Sequence, residues 1–240
     1  AAYLTQWPDD IQGRVSLMRI WLMTNREQEA IDEVRRLDTE QHEMATRVGV
    51  AVATSLFYGG QRDKAFALLQ DLAKSHPVNA EVTETLGQFY LDDGKPERAA
   101  KELKPLVDKN PAELTATVLL AQAYANQDQF EAIDNLLDTL PDTVKQQYAE
   151  ELAILRSNVC LTRRLYYQDQ GNNDQAEKYY RQAIEFNPKD PETYNSLGYF
   201  LTETGGDLNE ALDLIQKALA LSPDTGHIVD SLGWVFFRKG

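Results

Sequence analysis

The chain has 240 residues, 42% of them apolar, with 24 Lys and Arg against 38 Asp and Glu and a net charge of −14. That apolar content suffices for one large or two small folded domains, and the charge excludes binding to a phosphate backbone in the absence of a basic stripe. No stripe is present, since Arg163 and Arg164 stand as a single pair that reads as a solvated or salt-bridged helix face. Cys160 is the only cysteine, which excludes an intrachain disulfide and a thiolate metal cage. Its neighbours Val159, Leu161 and Leu165 make it a buried structural thiol. No apolar run reaches the length of about 18 residues that spans a bilayer. The chain opens at Ala1, without an initiator Met or a signal peptide, so any targeting segment is expected to lie outside this sequence.

Along the chain the same features return at a fixed interval. A Gly stands five residues before an Ala at Gly60 and Ala65, Gly94 and Ala99, and Gly171 and Ala176. Closing prolines recur at Pro77 and Pro111, 34 residues apart, and at Pro188 and Pro223, 35 residues apart with Gly206 as the extra residue. Ser-Leu-Gly is spelled at 196–198 and again at 231–233. Each unit reads as an apolar segment of helical period, a Gly-containing turn, a second helical segment, and Pro as the stop. In the unit from 80 to 113, Thr83, Leu86, Gly87 and Tyr90 share one face of the first helix, and Ala99, Leu103 and Leu106 share one face of the second. Gly87 and Ala99 remove bulk where the two helices approach, so a Leu at either position is expected to push the pair apart.

These residues resemble the tetratricopeptide repeats, whose aromatic, Leu-Gly, Tyr, Ala, Phe and Pro pattern is met by Tyr194, Leu197, Gly198, Leu201, Ala211, Ile215 and Pro223. It is met again by Leu86, Gly87, Tyr90, Ala99, Leu103 and Pro111. The resemblance covers nearly the whole chain and implies an all-α fold: a right-handed superhelical solenoid of antiparallel helix pairs running over 1–240. Six repeats are expected, at about 11–45, 46–79, 80–113, 114–141, 157–190 and 191–225, with a partial seventh at 226–240. Pro8 fits the closing proline of an upstream unit, and the partial units at both ends imply a longer array.

The pattern breaks between Pro141 and Gly171. The second helix of the fourth repeat stops early, and Val144, Tyr148, Leu152, Leu155 and Val159 recur at intervals of three and four. They predict one continuous helix of about 28 residues over the irregular segment 142–170. Arg163 and Arg164 take the positions of the family's Leu and Gly, so helix packing there must differ. Two readings of this segment stay open: an irregular repeat absorbed by the array, or a hinge or ledge for a partner.

Catalytic chemistry finds no foothold in the sequence. His42, His76 and His227 are far apart, and no pair has metal-ligand spacing on one helix. The segment DDGKPER lacks the first Gly and the Ser or Thr of a phosphate loop, and no Gly-x-Ser-x-Gly elbow occurs. Adjoining carboxylates such as Asp92 with Asp93 diverge by about 100° on a helix. The expectation is therefore a non-enzyme with no metal and no cofactor.

The resemblance implies that the first helices of the repeats line a concave groove and the second helices form its back. The family's groove positions then fall on Val15, Arg19 and Leu22 in the first repeat, and on Val50, Phe57 and Tyr58 in the second. They continue with Gln88, Gln122 and Leu165, then Asn195 and Tyr199, and end with Trp234 and Phe237. The Lys, Asn and Arg set with which some members clamp a C-terminal carboxylate is missing. The apolar and aromatic positions suit an amphipathic helix or an extended apolar protein segment, with Gln88, Gln122 and Asn195 bonding its backbone. Phe57, Tyr58, Tyr199 and Trp234 are the expected anchors.

The implied function is a non-catalytic adaptor or scaffold that binds protein segments, with neither nucleic acid nor a membrane span in this chain. The closing repeats resemble bacterial envelope lipoproteins that serve proteases or secretion, which favours a periplasmic or outer-membrane-associated site. The alternative is the substrate-handling arm of a larger enzyme such as a glycosyltransferase. Val229, Leu232 and Phe236 lie on the face that a following helix would cover, so self-association through the last helix is a further expectation.

Overall fold

A computed structural model of the protein describes residues 6–7, 9–77 and 79–240, all of whose regular elements are helical. The expectation for Pro8 falls outside the described residues. The chain divides into two compact units that meet in sequence at Gln127 and Asp128.

The first unit contains three helix pairs and one further first helix. The pairs are α1 (Ile11–Met23) with α2 (Glu27–Glu40), α3 (His42–Tyr58) with α4 (Arg62–Ser75), and α5 (Ala80–Asp92) with α6 (Pro96–Lys109), followed by α7 (Leu114–Ala125). The second unit opens with α8 (Phe130–Asp138) and the short α9 (Asp142–Gln147). It continues with α10 (Ala149–Asp169) and α11 (Asn173–Phe186), α12 (Pro191–Thr204) and α13 (Leu208–Leu221), and α14 (Gly226–Lys239).

The turn glycines earn their places through backbone conformation. Gly60, Gly94 and Gly171 have φ of 85°, 67° and 70°, in the left-handed region that side chains resist. The chain then folds back with one hydrogen bond that recurs from turn to turn. Gln61 N–H donates to Leu56 O at 2.8 Å, Lys95 N–H to Tyr90 O at 2.8 Å, and Asn172 N–H to Tyr167 O at 2.9 Å, the closing bond of a Schellman cap. Where Gly is missing the same conformation falls to Asn25, at φ 56°, and Asp128, at φ 55°, two residue types that tolerate it. Arg26 N–H accordingly closes on Trp21 O at 2.8 Å.

Five residues after Asn25, Gly60, Gly94, Asp128 and Gly171 lies a residue with no exposed surface: Ala30, Ala65, Ala99, Ile133 and Ala176. Here the second helix meets the first. The complementary small residues on the first helices are Ala53, Gly87, Ala121 and Gly198, all buried. A Cβ on Gly198 would come within 2.6 Å of Ile215 Cγ1, so the absence of a side chain sets the helix separation there. In the second unit Tyr180, Tyr194, Leu197, Phe200 and Ile215 build one core around these contacts.

One expectation is corrected. The segment 142–170 is not a single helix, because the Tyr148 backbone, at φ −116° and ψ 35°, leaves the helical region between α9 and α10. The bonding register persists across the bend: Tyr148 N–H donates to Val144 O at 3.0 Å and Tyr148 O accepts from Leu152 N–H at 2.9 Å. An apolar period of three and four therefore continues through Tyr148 although the helix axis does not. The α10 helix itself is 21 residues long, unbroken at Ser157 and Asn158, while α8 is cut to 9 residues as its early stop requires.

Candidate functional site

The first helices of the first unit bring two of the expected groove residues, Tyr58 and Gln88, into one hydrogen-bonded group with Asp92. Tyr58 Oη donates to Asp92 Oδ2 at 2.8 Å, and Gln88 Nε2 donates to Asp92 Oδ1 at 2.6 Å. The Asp92 acceptor and partial burial push the Tyr58 phenol above its ordinary pKa. Tyr58 is 66% exposed, so its ring stands at the surface with a fixed orientation. One Gln88 amide N–H is committed to Asp92, which leaves the second N–H and the carbonyl for a partner. Val15 and Leu22 are half-buried, lining a shallow depression with Arg19, Ala51 and Ser55. Val50 is half-buried and Gln122 is exposed.

Phe57 does not reach the surface. It is 2% exposed, its ring stacked on Phe89 with centroids 4.1 Å apart and with Arg62 at 5.1 Å on the ring. Tyr58 follows Phe57 on the helix and is rotated by about 100°, so one of two adjacent aromatic residues faces inward and the other outward. Phe57 is a core residue, not an anchor.

In the second unit, Leu165, Tyr199 and Phe237 are 48%, 45% and 73% exposed. Trp234 Nε1 donates to Glu203 Oε1 at 2.6 Å, and its ring stacks on Phe237 with centroids 5.4 Å apart. Asn195 is buried and its Oδ1 has no hydrogen-bond partner.

The irregular repeat makes a second feature, one that groove positions alone do not predict. A cleft of about 660 Å³ opens beside α8, α10 and α11, lined by Phe130, Asp134, Arg163, Tyr166, Tyr167 and Tyr179. Arg163 Nη2 donates to Phe130 O at 2.7 Å and to Asp134 Oδ2 at 2.6 Å, while its guanidinium lies 5.1 Å from the Phe130 ring centre and 5.3 Å from that of Tyr179. Arg164 occupies the position at which neighbouring repeats carry Gly or Ala, and its guanidinium lies 4.8 Å from the Tyr180 ring centre. A cation on an aromatic face thus replaces the close helix contact. Cys160 is buried beside this region, and burial pushes its thiol up to about 11, so it is protonated and inert at neutral pH.

Sequence spacing also missed a cluster of polar side chains. His42 and His76, assigned no metal-ligand relationship, lie together with Asp38 in the first unit. The missed signal is their separation of 34 residues, one repeat, which stacking turns into proximity.

Two family profiles match these elements. One, described as "Tetratricopeptide repeat", matches residues 51–103 and 84–132, and another, described as "TPR repeat", matches 165–205, together just over half of the chain. The chain belongs to the tetratricopeptide-repeat family. Among curated proteins it is 32% identical over 183 residues to the TPR repeat-containing protein PA4667 of Pseudomonas aeruginosa, matching 75% of this chain and 29% of that protein. It is 25% identical over 179 residues to the human protein O-mannosyl-transferase TMTC1, matching 74% of this chain and 20% of that protein. The chain therefore spans less than a third of the length of either relative. Among solved structures, the crystal structure of MamA protein aligns with a TM-score of 0.55 and 24% identity, covering 74% of this chain and 92% of that one. The tetratricopeptide-repeat fold is general to protein-interaction scaffolds, and no described helix is long and apolar enough to cross a membrane.

Proposed function

We propose that the chain is a non-catalytic adaptor of the bacterial envelope, on the periplasmic or outer-membrane side, that holds amphipathic or extended apolar segments of partner proteins for a protease or a secretion complex. The observation that carries this reading is the set of exposed aromatic and aliphatic side chains on the first helices of each unit. Tyr58 is held by Asp92 in the first unit, and Leu165, Tyr199 and Phe237 serve in the second, with the half-buried Trp234 stacked beside Phe237. Rings with a fixed orientation bind at low entropic cost, and contiguous apolar surface on a soluble fold marks interaction. The exposed Gln122 supplies hydrogen bonds to a partner backbone. The bacterial relative PA4667 supports the non-catalytic repeat-protein part of this reading.

A photo-crosslinking residue placed at Tyr58 or Tyr199, in cells, tests the reading. The expected products are adducts with one or a few protein segments of apolar character, recovered from the envelope fraction. Adducts formed only from Lys104, on the second helix α6, would move binding to the opposite surface and sink the groove.

A second reading is favoured by one observation, the match to a protein named as an O-mannosyl-transferase. In it the array is the substrate-handling arm of a larger glycosyltransferase. A transferase domain encoded in the same reading frame decides for this alternative, and its absence there decides against it.

A further inference from the structure

We infer that Asp38, His42 and His76 form a binding site for a divalent transition-metal cation, best matched by Zn²⁺. Asp38 lies in the last turn of α2, His42 is the first residue of α3, and His76 caps the C-terminal end of α4. Three ligand atoms, one from each, lie within 4.8 Å of one another, the only such cluster among the described residues. Asp38 Oδ1 is 2.5 Å from His76 Nε2 and 3.8 Å from His42 Nδ1, and the two imidazole centroids are 5.1 Å apart. Nitrogen and oxygen ligands about 2.0–2.2 Å from a tetrahedral ion stand roughly 3.3 Å from each other, so the observed separations bracket the required one.

The electrostatics favour a cation. The basic groups facing Asp38 are the two histidines, while the arginines of the same helix are engaged elsewhere: Arg35 with Asp32 and Asp71, and Arg36 with Glu33 and Glu40. With neutral imidazoles the cluster carries one net negative charge. The C-terminal ends of α2 and α4 add partial negative charge, against the single N-terminal end of α3. Two imidazoles with one carboxylate select Zn²⁺ and its neighbours over Mg²⁺ or Ca²⁺, which prefer all-oxygen shells.

Access is graded. The side chains of Asp38 and His76 are 18% exposed, and His42 is 68% exposed, so two ligands are positioned and the third closes from solvent. The ion would tie the joint between the first and second helix pairs to the far end of the second pair. Three protein ligands leave a coordination position for water or for a donor from outside the chain.

The test is calorimetric titration of the tag-free, EDTA-washed chain with Zn²⁺, alongside the visible absorption of added Co²⁺. One equivalent is expected to bind, with Co²⁺ giving a spectrum of low coordination number. H42Q, H76Q and D38N should each weaken binding by more than roughly tenfold, the smallest loss that even outer partners of a metal produce. H227Q, which alters the exposed His227–Glu192 pair, should change nothing. His42 is exposed enough for H42Q to keep the fold, and circular dichroism checks this, so that variant decides even if H76Q unfolds. Absence of Zn²⁺ uptake by the intact chain, or H42Q binding as tightly as the parent, overturns the site and leaves a plain Asp38–His76 hydrogen bond.

Discussion

A Cβ placed on Gly87 of α5 would lie 2.7 Å from Cγ, Cδ1 and Cδ2 of Leu103 on α6. Leu103 has no exposed surface. Gly87→Ala should therefore force the two helices apart at a cost of about 1–3 kcal/mol. For a chain of this length that lowers the melting temperature by roughly 2–4 °C per kcal/mol. Leu103→Ala is expected to destabilise on its own by about 2–5 kcal/mol. Because one change relieves what the other imposes, the double variant should lose less than the sum of the two. Additive losses in denaturant titrations would mean that the contact does not set the helix spacing.

Gly87, Ala99 and the closing prolines made the helix pairs legible in the sequence, because close approach and chain reversal each demand a particular residue type. The left-handed turns at Asn25 and Asp128 were harder to see, since Asn and Asp serve many turns besides this one. The bend at Tyr148 was hidden for a different reason: its hydrogen bonds keep helical register, and the apolar period records register. Groove positions transferred by repeat alignment located Tyr58 and Tyr199 at the surface. They misplaced Phe57, because two adjacent groove positions differ by about 100° around the helix and the inward one here stacks on Phe89 in the core. The Asp38, His42 and His76 cluster was invisible to spacing along one helix and required the stacking of two repeats.

The adjacent pair Phe57 and Tyr58 separates stability from binding. Phe57→Ala removes a ring from the core and should destabilise the fold by about 3–5 kcal/mol. Tyr58→Ala should leave the melting temperature close to that of the parent and weaken capture of a partner segment by about 2 kcal/mol, close to thirtyfold. Thermal melts and affinity measurements on the two variants check the contrast. A Tyr58→Ala protein that retains full partner affinity removes Tyr58 from the binding surface.

Glu84 on α5 gives the first unit a pH dependence. Burial, together with the charge of Glu113, pushes its carboxyl above the ordinary range against a hydrogen bond from Ala116 N–H, and its Oε1 is buried without a partner. The folded state therefore holds this proton at pH values where the unfolded chain has lost it. Stability from this group falls as pH rises from the ordinary carboxylate value through the raised one. Glu84→Gln keeps the shape and removes the charge, so it should stabilise the protein at neutral pH and do so less at about pH 4. Urea unfolding at the two pH values reads the difference, and an effect independent of pH would assign the gain to packing instead.

The last helix, α14, repeats Ser-Leu-Gly at 231–233, yet the position of a Cβ on Gly233 meets open space where Gly87 and Gly198 meet a second helix. Val229 and Phe236 beside it are 49% and 53% exposed. Covering these two half-exposed side chains on each of two copies gains roughly 3–6 kcal/mol of burial in all, which favours weak, reversible pairing through this face at high concentration. We predict that the chain self-associates reversibly through α14 and that Val229→Ser with Phe236→Ser makes it monomeric without changing its helical content. Light scattering across a concentration series measures the mass, and circular dichroism follows the helix. Neither substitution touches Ile228 or Val235, which are fully buried and hold α14 to its own unit. A parent chain that stays monomeric throughout, or a double variant that associates as strongly as the parent, would exclude this face as the contact.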